Sequence, residues 1–146
     1  MPHTTVIIEQ TFNAPIANVW KALTQKGEME KWYFNVEDFS LEVGNKFHFT
    51  AGSPEKQYLH LCEIIEVVPE KKLSYTWKYD GYAGCSLLTF KLIEQDHKTY
   101  FKLTHTDLET FAENGKDFEI TSFNQGWNHI INTNLKNYLS TTVNNA

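Results

Sequence analysis

The stretch SFNQGWNHIINTNLKNYL, residues Ser122–Leu139, decides the fold because it predicts one long, one-sided helix near the C-terminus. At about 100° per residue, its apolar side chains fall within one broad arc. They are Phe123, Trp127, Ile130, Ile131, Leu135, Tyr138 and Leu139. The opposite side is polar and includes His129, which we predict to face solvent. Such a helix is stable only when its apolar face packs against a large surface.

One polar residue, Asn134, falls inside the apolar arc, between Trp127 and Ile130 in projection. A buried amide must find hydrogen-bond partners, or its burial costs a few kcal/mol. Two interpretations follow. In the first, Asn134 bonds a neighbouring side chain or backbone group, or sits at a wetter edge. In the second, it faces a cavity that holds water or a ligand.

The surface that this helix needs is predicted upstream, where six segments alternate apolar and polar side chains. The strands are predicted at Thr4–Phe12, Asn45–Ala51, Gln57–Val68, Lys72–Tyr79, Gly84–Glu94 and Thr99–His105. Short turns join the last five, which favours an antiparallel meander. The alternation changes phase near Cys62-Glu63-Ile64, which predicts a bulge there. Two short helices are predicted after the first strand, one opened by Pro15 and one covering Met29–Trp32, with a break at Gly27.

Aromatic side chains recur on the strand faces that would meet the helix, so we predict a ligand cavity between sheet and helix. The candidate wall consists of Phe49, Trp77, Tyr79, Phe90, Phe101, His105, Trp127, Ile130 and Asn134. The segment Thr106–Asp117 lacks a periodic pattern, and a loop of that length is typical of a functional lid. Trp20 and Trp32 are predicted to be structural, packing the small helices against the sheet.

Residues that could perform catalysis are few. His105, at a strand end beside the predicted lid, is the one weak candidate for a general base; otherwise it is a partly buried histidine that holds the loop. His60-Leu61-Cys62 offers two potential metal ligands, fewer than the three or four a site needs, so both are interpreted as sheet residues. No nucleophile, phosphate-loop or dinucleotide motif occurs. The sequence therefore predicts no metal or cofactor, and favours a binding protein over an enzyme.

Composition sets the class of protein and of partner. The 146 residues suit one domain, 1–146, with a sizeable core. The net charge is −5 and no stretch is strongly basic, which argues against nucleic acid or an anionic membrane as main partner. The chain shows no signal peptide or transmembrane stretch, and its two cysteines form no CxxC pair. We expect a cytoplasmic protein with reduced thiols, either a monomer or a homodimer.

Motifs along nearly the whole chain carry a family resemblance. They are Phe12-x-Ala14-Pro15, Val19-Trp20-x-Ala22-Leu23-Thr24, Trp32, Val43-Gly44-x-x-Phe47-x-Phe49, Glu66-Val67-Val68-Pro69, Leu73-x-Tyr75-x-Trp77, Leu103-Thr104-His105 and Gly126-Trp127. Their order resembles the activator-of-heat-shock-protein-90-ATPase-homologue-like family, within the START-like, SRPBCC (birch-pollen-allergen-like) superfamily. The resemblance implies an α+β helix-grip fold: a curved antiparallel sheet around a long C-terminal helix, with two short helices after the first strand.

For function, the resemblance leaves three hypotheses open because fold alone does not decide activity. The first is a protein that binds a small, largely apolar molecule between sheet and C-terminal helix. The second is a single-domain co-chaperone or stress-response module with a chaperone as partner. The third is a cyclase-like or hydrolase-like enzyme that uses His105.

Overall fold

A six-stranded antiparallel sheet forms the centre of the fold, in the order β1-β6-β5-β4-β3-β2. The computed structural model describes residues 5–52, 57–115 and 118–144. Its strands are β1 (Val6–Phe12), β2 (Lys46–Gly52), β3 (Gln57–Val68), β4 (Lys72–Tyr79), β5 (Ser86–Gln95) and β6 (Lys98–Thr106). The predicted meander is confirmed, with strand ends within two residues of prediction. Thr4, the predicted start of the first strand, lies outside the described residues.

Two short helices follow the first strand, as predicted: α1 (Ile16–Thr24) and α2 (Lys26–Trp32). The break between them is not at Gly27, as predicted, but at Gln25, whose backbone is extended (φ −106°, ψ 126°). Gly27 lies inside α2. The buried Trp32 donates its indole N–H to the carbonyl of Ala22 at 2.9 Å. This bond holds α2 against α1, so Trp32 has the structural role predicted for it.

The predicted bulge is present in β3, but slightly later along the chain. The register against β4 shifts between Ile64 and Glu66, so Ile65 is the extra residue. Ile64 is fully buried, Val67 packs against the core and Ile65 is 43% exposed. The bulge therefore keeps the apolar side chains on both sides of it on the inner face, which explains the change of phase in the sequence.

The segment after β6 differs from the predicted structureless lid. Leu108–Asn114 forms a 3-10 helix, in which Leu108 and Phe111 are buried. The Thr110 hydroxyl accepts a hydrogen bond from the backbone N–H of Cys85 at 3.0 Å, and the Asn114 amide donates to the Ala83 carbonyl at 2.7 Å. The prediction failed because a segment can be anchored by two buried side chains without periodicity. Residues 116 and 117 lie outside the described structure.

The C-terminal helix closes the fold across the inner face of the sheet. It comprises α3 (Ile120–His129), a π-helical turn (Ile130–Leu135) and α4 (Lys136–Asn144). As far as Ser140, its buried side chains occur at every fourth residue: Phe123, Trp127, Ile131, Leu135 and Leu139. The predicted α+β helix-grip fold is confirmed, but the helix is not α-helical throughout. No helix among the described residues is long and apolar enough to cross a membrane.

Candidate functional site

A pocket of about 420 Å³ lies between the inner face of the sheet and the start of the C-terminal helix. Strands β2, β3 and β4 form one wall, and α3 with the first residue of the π-helical turn forms the other. Seven aromatic side chains dominate the lining: Phe34, Tyr58, Trp77, Tyr79, Phe118, Phe123 and Trp127. We call this cavity the aromatic pocket. Its size and lining are typical of small-molecule sites.

Of the nine predicted wall residues, four line the aromatic pocket: Trp77, Tyr79, Trp127 and Ile130. Phe49 lies directly behind the wall, with its ring stacked on that of His60 at a centroid distance of 4.5 Å. Phe90 and Phe101 contact each other deeper in the core, where Phe101 also packs against Phe12 at 5.4 Å. They share the inner face with Trp77, but they lie where the sheet packs solidly.

Asn134 is half-buried and is not among the residues that line the pocket, whose last residue on this helix is Ile130. In the π-helical turn the hydrogen bonds run from i to i+5, so more residues fit in each turn than in an α-helix. Asn134 lies in this turn, four residues after Ile130. Gly126 and Ile130 line the pocket, whereas Tyr138 hydrogen-bonds Glu28. Asn134 lies between these two ends.

Sequence reasoning missed several residues of the lining: Phe34, Ala51, Gly52, Tyr58, His60, Phe118, Ser122, Phe123, Gly126 and His129. For three of them a signal existed, one being Phe123, which lies in the apolar arc of the predicted helix. Tyr58 and His60 alternate with Cys62 and Ile64 on the inner face of β3, and His60 pairs directly with Tyr79. His129 is exposed, as predicted, yet it belongs to the lining because the pocket opens beside the helix.

His105 is part of a hydrogen-bond chain that joins the C-terminal helix to three strands. The indole N–H of Trp127 donates to Nδ1 of His105 at 3.0 Å. Nε2 of His105 lies 2.7 Å from the Ser86 hydroxyl, which in turn donates to the Trp77 carbonyl at 3.0 Å. Since an indole can only donate, Nδ1 must accept, and the proton of the neutral ring is on Nε2. With His105 in this one tautomer, every donor in the hydrogen-bond chain has an acceptor.

This arrangement gives His105 a positioning role rather than that of a general base. The ring is fully buried, and burial lowers the pKa of His105 to about 3, so the ring is neutral near pH 7. A general base needs a lone pair that a substrate proton can reach. Nδ1 is already bonded to Trp127, and Nε2 donates to Ser86. His105 therefore fixes the orientation of Trp127, whose ring forms part of the pocket wall.

The wall of the aromatic pocket is polar in places, and His129 on its lining is exposed. None of the described lining residues is a lysine, aspartate or glutamate. Burial lowers the pKa of His60 to about 4, although hydrogen bonds to the Tyr58 and Phe49 backbone oppose the shift. Burial also raises the pKa of Tyr79, so its phenol stays protonated. A charged ligand group would lose its hydration here without gaining an ion pair.

The two buried histidines predict a pH dependence of stability. In the unfolded chain their pKa is about 6.5, above the folded values of about 4 for His60 and about 3 for His105. The unfolded state therefore binds more protons below pH 6.5, and stability falls as the pH falls towards the folded pKa values. For each histidine, the free energy of unfolding should fall by roughly 1 kcal/mol as the pH is lowered from 6 to 5.

Urea denaturation at pH 6 and at pH 5 measures this loss. His60→Phe removes one titrating group within an aromatic cluster and should reduce the loss by about half. His97→Asn changes an exposed histidine and is the matched control. An equal loss in His60→Phe and in the unsubstituted protein would show that His60 does not carry the effect.

Side chains that could bind a metal are scattered in the part of the chain that the structure describes. No three histidine, cysteine, aspartate or glutamate side chains come together there. His60 and Cys62 share the inner face of β3, but Cys62 is buried and its thiol pKa is raised, chiefly by burial. A thiol must lose its proton to bind a metal, and burial opposes that loss.

Comparison with known families assigns the chain. The sequence profile of the family described as "Activator of Hsp90 ATPase homolog 1-like protein" matches residues 13–140. The chain belongs to this family. The match runs from α1 into the first half of α4 and includes every strand between them, which agrees with the resemblance carried by the sequence motifs. Comparison with curated protein sequences gives no significant match.

Solved structures share the fold across nearly the whole chain. CalU16 from Micromonospora echinospora is 22% identical with a TM-score of 0.74, covering 95% of this chain and 78% of that protein. Protein BH1534 from Bacillus halodurans is 27% identical with a TM-score of 0.72, and the match covers 95% of this chain and 97% of that protein. DynU16 of the dynemicin biosynthetic locus is 18% identical with a TM-score of 0.79; the match covers 97% of this chain but only 49% of DynU16.

Proposed function

We propose that this member of the family binds a small, neutral, largely apolar molecule in the aromatic pocket. The observation that carries the proposal is the pocket of about 420 Å³ with seven aromatic side chains in its lining. Rigid rings supply a large apolar contact area, and they lose little conformational entropy when a ligand orders them. The absence of lysine and carboxylate side chains from the described lining favours a ligand without formal charge.

Two polar groups of the wall would orient such a ligand. Trp77 donates its indole N–H to the Tyr79 oxygen at 2.8 Å, which leaves the Tyr79 hydroxyl proton to be donated elsewhere. Nδ1 of His60 lies 2.9 Å from the Tyr58 carbonyl and must donate to it, so Nε2 is the acceptor nitrogen of the neutral ring. The pair favours a ligand that carries both an acceptor and a donor.

Filling the pocket tests the proposal. Gly126 lines the pocket, and a Cβ placed on it would meet no atom within 4 Å. Gly126→Leu should therefore weaken binding of the neutral fluorophore N-phenyl-1-naphthylamine at least about tenfold, a change of roughly 1.4 kcal/mol. Folding should not suffer, since glycine is a poor helix residue. Fluorescence titration measures the affinity, with quenching of tryptophan emission as a second readout.

The matched control is Gly27→Leu. Gly27 is also helical, its Cβ would also meet nothing within 4 Å, and it is not among the lining residues. It should bind the fluorophore like the unsubstituted protein. Equal affinity in both variants would place the fluorophore outside the aromatic pocket and contradict the proposal. If the two variants differ as expected, native mass spectrometry of freshly purified protein is the next step, because it can identify a natural ligand. Adding that ligand should raise the melting temperature of the protein.

A second candidate function rests on the family itself, whose description names activation of the Hsp90 ATPase. In that case the protein acts on a chaperone through its surface, with or without a ligand. The discriminating measurement is the ATPase rate of purified Hsp90 with increasing amounts of this protein. Stimulation that persists in Gly126→Leu would favour the co-chaperone function over ligand binding.

A further inference from the structure

Three lysines stand side by side on the outer face of the sheet. Lys72 on β4 pairs with Lys91 on β5, and Lys91 pairs with Lys102 on β6. Their neighbours along the strands, such as Leu73, Phe90 and Leu103, are buried, so the lysines point outward. Like charges directly opposite each other destabilise a sheet. The row is thus a cost to folding, in a chain whose net charge is −5.

Acidic side chains compensate the row only at its ends. Lys72 forms an ion pair with Glu66 at 2.8 Å. Lys102 lies opposite Glu9, whose carboxylate accepts a hydrogen bond from the Tyr100 hydroxyl at 2.8 Å. Lys91, in the middle, has no acidic side chain within ion-pair distance among the described residues. Its positive charge is therefore available to an external anion.

A groove of about 620 Å³ begins at this row. Lys71, Lys72 and Lys91 line it together with the apolar side chains of Ile16, Val68 and Ile93. Ile93 is 54% exposed although it is large and apolar. We call this cavity the lysine groove. It lies at the opposite end of β3 and β4 from the aromatic pocket, which is lined by Tyr58 and Tyr79.

We propose that the lysine groove is a second binding site, for a phosphate or carboxylate group carried on an apolar body. The ammonium groups of Lys71 and Lys91 would hold the oxyanion, since lysine binds such groups as a point charge. Ile16 and Ile93 would contact the apolar body. The ligand would relieve the repulsion along the lysine row, which accounts for three adjacent like charges on an acidic protein.

Two carboxylates limit what the groove accepts. Glu70 and Glu94 also line it, so a long polyanion would meet negative charge on either side of the lysines. A single oxyanion avoids this repulsion. Because Lys71 and Lys91 are exposed and Lys72 is half-buried, binding should weaken as salt is added.

The experiment uses four probes with the complete chain: 1-naphthyl phosphate, 1-naphthoate, neutral 1-naphthol and inorganic phosphate. Binding is followed in two-dimensional NMR through the backbone amide shifts of Lys71, Lys72, Lys91 and Ile93, which line the groove. At least one naphthyl anion should bind about tenfold more tightly than either naphthol or inorganic phosphate. The phosphate and carboxylate probes distinguish the two sources of negative charge. If naphthol binds as tightly as the naphthyl anions, the lysines have no role in binding. If inorganic phosphate binds as tightly as the naphthyl anions, the apolar body has none.

Three variants locate the site. Lys91→Gln should lower the affinity for the naphthyl anion about tenfold, as expected for losing a hydrogen bond to a charged group. Lys46→Gln, an exposed strand lysine on β2, should leave the affinity unchanged. Gly126→Leu, which fills the aromatic pocket, should also leave it unchanged, so the two proposals can fail separately. Unaltered affinity in Lys91→Gln, or lost affinity in Gly126→Leu, would overturn the second site.

Discussion

Trp127→Ala should lower the free energy of unfolding by about 3–5 kcal/mol, the usual cost of deleting a buried tryptophan. Trp127 is 3% exposed, and its ring packs against Trp77 at a centroid distance of 5.3 Å. The substitution removes this contact and also leaves Nδ1 of His105 without its donor. It further enlarges the aromatic pocket, so the apolar ligand should bind more weakly. Urea denaturation followed by far-UV circular dichroism measures the loss.

Trp127→Phe separates packing from hydrogen bonding. Phenylalanine keeps an aromatic ring against Trp77 but has no N–H, so the buried Nδ1 of His105 loses its partner. An unsatisfied buried acceptor costs about 1–3 kcal/mol, so this variant should lie between the unsubstituted protein and Trp127→Ala. A loss below about 1 kcal/mol in Trp127→Ala would contradict the view that this side chain holds the helix on the sheet.

The fold could be predicted because the buried face of a strand or helix produces a local pattern of apolar residues in the sequence. Tyr75, Trp77 and Tyr79 alternate with polar residues along β4, and all three are buried. The C-terminal helix was recognised by the same argument at helical spacing. These patterns depend on which face a side chain occupies, and a period of two or near four gives that directly.

The site could be predicted only in part, because a cavity depends on distances between elements. Phe90 and Trp77 share the inner face, but only Trp77 lies where the sheet and helix leave a gap. The role of His105 depends on Ser86 and Trp127, which are 19 and 22 residues away in the chain. The π-helical turn has no clear sequence signal, and the sequence does not show that the pocket lining on this helix ends at Ile130, before Asn134. Strand alternation placed His105 on the buried inner face, but His105 does not line the pocket, and alternation could not give these partners.

Gly84→Ala should lower the free energy of unfolding by about 2–4 kcal/mol, a large effect for the addition of one methyl group at a turn. Gly84 has φ +104°, a conformation that other residues rarely adopt. An added Cβ would also collide with the Thr110 carbonyl and lie 2.6 Å from the Phe111 ring. The 3-10 helix that carries both residues would have to move. Phe111 packs against Tyr79 at 5.2 Å, so the movement should reach the aromatic pocket.

Gly81→Ala is the matched control for the backbone conformation alone. Gly81 also has a positive φ, +80°, but an added Cβ would meet nothing within 4 Å. It should cost about 1–3 kcal/mol of backbone strain and leave ligand binding unchanged. Urea denaturation and the N-phenyl-1-naphthylamine titration should therefore separate the two variants: both lose stability, but Gly84→Ala loses more and also binds the fluorophore more weakly. Identical losses in both assays would show that the 3-10 helix does not press on Gly84, because only a collision there distinguishes the two glycines.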